Sequence, residues 1–190
     1  MSVLEVVSAG IVTSIQDGGR FGAQRYGLPP SGAMDRLALA TANVLVGNAT
    51  FDAAIEIGPQ GAVFAVKSGT VRIAVSGTAR AVDVDGHGKR LHHTILLAEG
   101  ERLTLGVARD GIFGYLAVAG GIAGEPTFGS LSVNARAGLG SPFPRPLHNN
   151  DRLKVGTAAP DHERMIQLPS NSDGPIRVVM GPQDDEFGEA

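Results

Sequence analysis

Short apolar runs, each bounded by turn-forming residues, constrain the fold of this chain more than any other feature of its sequence. Most apolar residues fall in runs of four to eight that are rich in Val and Ile and are separated by Gly, Asp and Pro. This pattern is typical of β-strands joined by turns, and the close spacing of the runs predicts a mainly β fold, a barrel or a sandwich. The candidate strands are residues 4–8, 53–57, 62–66, 71–76, 81–84, 94–97, 102–105, 113–118, 152–155 and 176–180.

One segment departs from this alternation of strands and turns. Its apolar positions recur at helical spacing and are Leu37, Ala40, Thr41, Val44 and Leu45. The spacing predicts a single amphipathic helix over about residues 35–47. Asp35 would lie in the first turn, where an acid interacts well with the helix dipole, and Gly47 or Asn48 could close the helix in the left-handed conformation.

Turn-forming residues define the connections. Asp85 and Gly86 lie between two apolar runs and predict a tight hairpin. Residues 138–150 contain three prolines within five positions, which predicts an exposed loop rather than a strand. A second loop is predicted over residues 157–175.

Composition excludes several classes of function. The chain has no cysteine, which excludes thiol nucleophiles, thiolate zinc sites and iron–sulfur clusters. Sixteen basic and nineteen acidic side chains give a net charge of −3, which argues against a nucleic-acid partner. The sequence contains neither an apolar run of membrane-spanning length nor a recognisable signal peptide, so we expect a cytoplasmic protein with no membrane association.

Common catalytic and cofactor motifs are missing from the sequence. Gly120 and Gly121 follow an apolar run without forming a GxGxxG pattern, and Lys89 is followed by Arg90 rather than by the Ser or Thr of a phosphate-binding loop. The five histidines include no HxH or HExxH spacing, so no metal site is predicted. The chain also lacks the GxSxG nucleophile motif.

Residues 13–35 form the densest polar region of the chain. Five glycines in this segment would let a ligand approach the backbone closely, and Asp and Arg side chains could hydrogen-bond an amide or a carboxylate there. The alternative interpretation is a pair of turns held by an Asp–Arg salt bridge, because turns are rich in Gly and Asp wherever they occur.

A short repeat suggests two related lobes. Gly58, Pro59 and Gln60 follow one apolar run, and a second Gly-Pro-Gln at residues 181–183 follows another. We therefore expect a first lobe over residues 1–110 and a second, C-terminally incomplete lobe over residues 111–190; the alternative is a coincidence of turn chemistry.

The motifs between residues 10 and 48 resemble the opening of the biotin-dependent carboxyltransferase family, which includes allophanate hydrolase subunit 2, the C subunit of 5-oxoprolinase and KipA-type proteins. The matching positions are Gln16 with Asp17, Gly19 with Arg20, Gly22, residues 27–35 and residues 42–48. Further matches are Glu56, residues 58–59, 76–77, 115–121, 129–130 and 181–187. One stretch departs from the family pattern, because residues 129–133 read Gly-Ser-Leu-Ser-Val where the family has Gly-Ser-Arg-Ser-Thr.

The resemblance implies a fold and a function. The fold would be a cyclophilin-like β-barrel, and the 190 residues would be a carboxyltransferase domain that lacks its C-terminal part. The function would be that of one component in an ATP-dependent complex that opens 5-oxoproline, a small amide, to glutamate. Its partners would be the B-type (KipI-like) subunit of such a complex and the A-type subunit, with ATP used by the complex and biotin implied by the family name alone.

Two other functions are compatible with the resemblance. The chain could be a KipA-like regulator that binds a KipI-like partner, or the carboxyltransferase half of a urea carboxylase or allophanate hydrolase system. The regulatory role would require no chemistry from the loop that carries Asp17 and Arg20, whereas a catalytic role would. We expect Asp17, Arg20 and Gln16 to be catalytic, and Ser31, Asp35, Gln183 and Asp185 to bind substrate.

Overall fold

A computed structural model describes residues 1–156, 162–167, 174–175, 178–179 and 181 of the chain. It contains one α-helix, one 3₁₀ turn at Gln24–Tyr26 and eleven strands within those residues. The strands are β1 (Ser2–Ser8), β2 (Ser14–Gln16), β3 (Ala54–Ile57), β4 (Ala62–Ser68), β5 (Val71–Gly77), β6 (Val82–Val84), β7 (His87–Lys89), β8 (Thr94–Leu97), β9 (Arg102–Leu105), β10 (Gly114–Val118) and β11 (Arg152–Val155), and the helix is α1 (Arg36–Val46).

The strands form two antiparallel sheets. One has six strands in the order β11-β1-β4-β9-β6-β7, and the other has five in the order β2-β3-β10-β5-β8. The mainly β fold with one helix is therefore confirmed, and neither of the two sheets closes on itself. The first sheet ends at β7, whose three residues are all exposed and so offer no apolar face to a further layer.

The core lies where the inward faces of the two sheets meet. One cluster of buried apolar side chains contains Leu4 and Phe64 from the six-stranded sheet together with Ile55, Ile73 and Leu116 from the five-stranded sheet. These inward residues alternate with outward ones along the strands, as packing of two sheets requires.

Helix α1 covers the outer face of the five-stranded sheet. Leu39 and Leu45 of the helix pack with Ala74, Tyr115 and Ala117 of the sheet in a second apolar cluster. Strand β10 is consequently buried on both faces, which explains why residues 114–118 form a continuous run without polar alternation.

The helix begins and ends at the residues that the sequence indicated. Asp35 is the N-cap residue, one position before the first turn in which it was predicted to lie, and its side chain accepts a 2.9 Å hydrogen bond from the Ala38 N–H. Gly47 closes the helix with a φ of 81°, a conformation that glycine adopts without strain.

Two of the predicted connections are confirmed, whereas the loop predicted over residues 157–175 lies mostly outside the described residues. Asp85 and Gly86 have positive φ angles and join β6 to β7 in a two-residue hairpin, in which Val84 pairs with His87. Residues 138–150 contain no strand, as expected, although Leu147 within them is buried against the core rather than exposed. The candidate strand at residues 176–180 lies mostly outside the described residues.

Two strands were not predicted from the sequence. Strand β2 is only three residues long and carries two polar side chains, and β7 contains a glycine and two exposed polar residues. The two-lobe division of the chain stays a prediction. Within the described residues, no helix combines the length and the apolar character needed to cross a membrane.

Candidate functional site

The carboxylate of Asp17 lies at the centre of a dense hydrogen-bond network directly after β2. Its Oδ1 accepts hydrogen bonds from the Gly19 N–H (2.7 Å), the Ser130 hydroxyl (2.8 Å) and the Ser132 hydroxyl (2.5 Å). Its Oδ2 accepts one from the Leu131 N–H (2.6 Å). Asp17 is 8% exposed, so this network joins the turn after β2 to a loop more than a hundred residues later in the chain.

A second segment is fixed on the same turn. The Ala33 N–H donates to the carbonyl of Asp17 (2.9 Å), and the Arg20 N–H donates to the carbonyl of Pro30 (2.7 Å). A Cβ atom on Gly32 would lie 2.8 Å from the backbone nitrogen of Gly19, so this close approach requires glycine. The loop that carries Ser31 is therefore held against the turn that carries Asp17.

Arg20 is the largest fully buried side chain of the described residues, with no exposed surface. Its Nη2 donates a hydrogen bond to the Ser132 carbonyl, while Nε and Nη1 make no hydrogen bond with any described group. The three ion pairs among the described residues do not include Asp17 and Arg20. The two side chains thus act on the same loop at different atoms, and they do not form the simple salt bridge of the alternative interpretation.

Gln16 contacts the loop of residues 130–133 at Val133, one residue after the Ser132 carbonyl that Arg20 binds. Its Nε2 donates to the Ser14 hydroxyl (3.0 Å) and to the Val133 carbonyl (3.3 Å), and its buried Oε1 has no hydrogen-bond partner among the described residues. The structure therefore brings together all three residues predicted to be catalytic, around residues 130–133. Their roles in catalysis stay predictions.

A cavity of about 350 Å³ lies beside Asp17. It is lined by Asp17, Phe51, Asp52, Ala53, Gly120, Gly121, Ile122, Gly129 and Leu131. The Oδ2 of Asp52 already accepts a hydrogen bond from the Ala49 N–H (3.0 Å). Carboxylate oxygens accept N–H groups, and Gly121 and Gly129 leave open space where a side chain would stand, so the cavity suits a small ligand that donates N–H groups.

The residues predicted to bind substrate are only partly brought together. Ser31 is half-buried in the loop that lies on the Asp17 turn, with a φ of 55°. Asp35 is exposed, caps α1 and lines a different cavity of about 620 Å³ with Met34, Leu37 and Phe113 among others. Gln183 and Asp185 lie outside the described residues.

A buried acid–phenol pair, Glu56 and Tyr115, was missed by the sequence analysis; it binds the backbone of Met34 and Asp35, which lead into α1. The Tyr115 hydroxyl donates a 2.6 Å hydrogen bond to Glu56 Oε2, which also accepts the Met34 N–H (2.9 Å). The same hydroxyl accepts the Asp35 N–H (2.8 Å). Burial raises the pKa of Glu56, and burial together with the nearby Glu56 raises the pKa of Tyr115. Both residues follow the family pattern, but nothing in the sequence indicated that they form a pair.

Residues 129–130 were among the family matches, but the contacts of Ser130 and Ser132 with Asp17 were not predicted, and Phe51 and Asp52 were not identified. Ser130 and Ser132 donate to Asp17, Phe51 and Asp52 line its cavity, and the guanidinium carbon of Arg36 lies 4.3 Å from the centre of the Phe51 ring. The signal that could have identified the serines is the Gly-Ser-x-Ser stretch at residues 129–132. No group of three metal-ligating side chains occurs in the part of the chain that the structure describes.

Comparisons with known proteins identify relatives over nearly the whole chain. The family described as "Carboxyltransferase domain, subdomain A and B" matches residues 26–190. The C subunit of 5-oxoprolinase from Escherichia coli K12 is 34% identical over 189 residues, which are 99% of this chain and 61% of that protein. Urea amidolyase of Saccharomyces cerevisiae is 32% identical over 173 residues, which are 90% of this chain and 9% of that protein.

The fold is similar to that of solved structures. The crystal structure of TTHA0988 in space group P6522 superposes with a TM-score of 0.80 at 29% identity, covering 88% of this chain and 62% of that one. In length, the chain spans about three-fifths of the 5-oxoprolinase C subunit from Escherichia coli that it matches.

Proposed function

Since the chain belongs to the family of the carboxyltransferase domain, subdomains A and B, we propose that it serves as the C-type component of a 5-oxoprolinase complex. The complex would open 5-oxoproline to glutamate with ATP, together with A-type and B-type partners. The observation that carries this proposal is the likeness to the C subunit of a 5-oxoprolinase along 99% of the chain.

The geometry around Asp17 supports chemistry on a small amide. Activation of an amide needs an acceptor for its N–H, a donor for its carbonyl and a group that stabilises developing charge. Oδ2 of Asp17 accepts one hydrogen bond within the protein and retains capacity for a second, from the amide N–H of a ligand in the cavity. Arg20 would support this site through the Ser132 carbonyl that it binds, and by its positive charge.

The same cavity does not fit a triphosphate. Two carboxylates, Asp17 and Asp52, line it, and its lining residues include no Lys or Arg that could neutralise phosphate oxygens. We therefore assign no ATP-dependent step to this cavity and propose that the partner proteins bind the nucleotide. Biotin is implied by the family name alone. The proposed ATP-dependent opening of 5-oxoproline to glutamate transfers no carboxyl group and so does not need it.

The likeness to urea amidolyase favours a second candidate function. A region of that protein is 32% identical to 90% of this chain, and urea is also a small N–H donor that the Asp17 cavity would accept. In this case the chain would supply the carboxyltransferase half of a urea carboxylase.

Reconstitution tests the proposal. The chain would be mixed with the cognate A-type and B-type proteins, and glutamate formed from 5-oxoproline would be measured with and without ATP and with each component omitted. Activity only in the complete mixture supports the proposed function. A stable complex without turnover favours a KipA-like regulatory role, and ATP-dependent carboxylation of urea by a biotin-containing partner favours the second candidate.

A further inference from the structure

Arg36 is not one of the residues that line the Asp17 cavity, but it lies against Phe51, which is one of them, and two contacts hold its side chain there. Its Nη1 donates a 2.7 Å hydrogen bond to the carbonyl of Gly18, the residue that follows Asp17. Its guanidinium carbon lies 4.3 Å from the centre of the Phe51 ring, and Phe51 lines the cavity. An exposed arginine is normally free to sample many rotamers. The two contacts of Arg36 restrict this freedom, and they fix the position of its charge before any ligand binds.

Most of the hydrogen-bonding capacity of Arg36 remains available. A guanidinium group carries five N–H donors in one plane, and one nitrogen of Arg36 bonds to Gly18. Among the described residues, none of the three ion pairs includes Arg36. Two parallel N–H groups on a planar guanidinium match the two oxygens of a carboxylate.

The position of Arg36 in the helix does not favour helix stability. Arg36 is the first residue of α1, where the helix dipole is positive and an acidic side chain would be preferred. A cation in this turn adds to the positive potential of the helix N-terminus, and the contact with Phe51 brings this charge next to the Asp17 cavity. The resulting charge attracts an anionic group of a ligand whose neutral part enters the cavity.

The cavity and the guanidinium group beside it therefore differ in what they recognise. Asp17 and Asp52 offer oxygen acceptors that suit the N–H group of an amide, whereas Arg36 beside Phe51 offers donors that suit a carboxylate. A cavity of about 350 Å³ is at the small end of the range for ligand sites. A compact molecule that carries its carboxylate on the carbon bonded to the amide nitrogen would contact both groups.

We propose that Arg36 binds the substrate carboxylate and thereby makes the site selective for amino-acid lactams such as 5-oxoproline over uncharged amides such as urea. This inference rests on the proposed function, because it concerns the substrate of the same site. It identifies Arg36 as a specificity-determining residue, whereas Asp17 would contact the amide.

The test compares ligands with and without the carboxylate. 2-Pyrrolidinone has the same lactam ring as 5-oxoproline and lacks the carboxylate. Binding of 5-oxoproline, 2-pyrrolidinone and urea to the reconstituted complex would be measured by calorimetry or ligand-observed NMR, beside the KM for 5-oxoproline. The variants are Arg36→Gln and, as a matched control, Arg25→Gln, which removes another exposed arginine that lies over an aromatic ring, 4.8 Å from the centre of Tyr26.

We expect Arg36→Gln to weaken binding of 5-oxoproline and to raise its KM by about tenfold or more, because charge-assisted hydrogen bonds are lost. Binding of 2-pyrrolidinone should stay unchanged, and Arg25→Gln should resemble the wild type. Equal loss for both lactams, no loss for either, or no binding of 5-oxoproline to the wild-type complex would each overturn the inference. Binding of 5-oxoproline with the expected selectivity but without turnover would instead contradict the proposed function alone.

Discussion

The hydroxyl group of Tyr115 donates a 2.6 Å hydrogen bond to the carboxylate of Glu56, across the paired strands β10 and β3. Met34 and Asp35 donate their backbone N–H groups to the same pair, one to Glu56 and the other to the Tyr115 hydroxyl. The chain segment that leads into α1 is therefore attached to a buried acid and a buried phenol. This attachment places the helix N-terminus, and with it Arg36, relative to the five-stranded sheet.

Tyr115→Phe should destabilise the protein measurably. The variant deprives Glu56 of a donor and leaves the Asp35 N–H without its acceptor, and loss of one partner from a buried hydrogen bond costs about 1–3 kcal/mol. Urea denaturation of the two proteins measures the difference. Tyr26→Phe is the matched control, because Tyr26 is 60% exposed, and we expect a change below about 0.5 kcal/mol there. Equal stability of Tyr115→Phe and the wild type would contradict the role of the pair.

Glu56→Gln should change how stability depends on pH. Burial raises the pKa of Glu56 above its ordinary value of 4.5, and the hydrogen bond from Tyr115 partly offsets that effect. The folded state thus binds the proton more tightly than the unfolded state does. The resulting stabilisation is fully present below pH 4.5 and is lost as the pH rises through the raised pKa.

The free energy of unfolding of Glu56→Gln should therefore improve relative to the wild type as the pH rises from about 4 to 7, by about 1.4 kcal/mol for each tenfold difference in proton affinity. Denaturant titrations across this range measure it. Glu125→Gln, a change at an exposed glutamate, should follow the wild-type curve throughout. A constant difference between Glu56→Gln and the wild type at every pH would show that the carboxyl group does not titrate as described.

Asp35 combines a structural role with a predicted functional one, and two substitutions separate them. Asp35→Ala removes the N-cap of α1 and should cost about 0.5–2 kcal/mol in thermal or denaturant unfolding. Asp35→Ser keeps an N-cap and should unfold like the wild type. If Asp35 also binds substrate, Asp35→Ser raises the KM for 5-oxoproline in the reconstituted complex despite its normal stability. An unchanged KM would remove Asp35 from the substrate site.

Asp17→Asn should impair both stability and turnover. The amide nitrogen of Asn would face donors where Asp17 presents only acceptors to Gly19, Leu131 and the serine hydroxyls. We expect a loss of about 1–3 kcal/mol in unfolding free energy and about 100-fold in kcat/KM for 5-oxoproline. Asp85→Asn in the β6–β7 hairpin serves as the control, since Asn accepts the same positive φ. Turnover at the wild-type rate would exclude Asp17 from the active site.

Local features of the fold could be predicted from the sequence because they depend on nearby residues. Helical spacing between Asp35 and Gly47 indicated α1, and Asp85 with Gly86 indicated the β6–β7 hairpin. Strand β2 was missed because its three residues include only one apolar side chain, too few to show a strand pattern; its position depends on pairing with β3.

The geometry of the site depends on contacts that no local pattern records. Asp17 meets Ser130 and Ser132 across 113 and 115 positions of the sequence, and Glu56 meets Tyr115 across 59. Motif resemblance indicated that Asp17, Arg20 and Gln16 matter, but it could not show that all three contact one loop. Gln183 and Asp185 stay predictions, since they lie outside the described residues.

A titration tests the proposed function most directly. This chain would be added in increasing amounts to fixed amounts of the A-type and B-type proteins with ATP, and the rate of glutamate formation from 5-oxoproline would be measured. We predict that the rate is negligible without the chain, rises with its concentration and saturates once the partners are fully bound. A rate that is the same with and without the chain, or that stays at zero at every concentration, would contradict the proposed function.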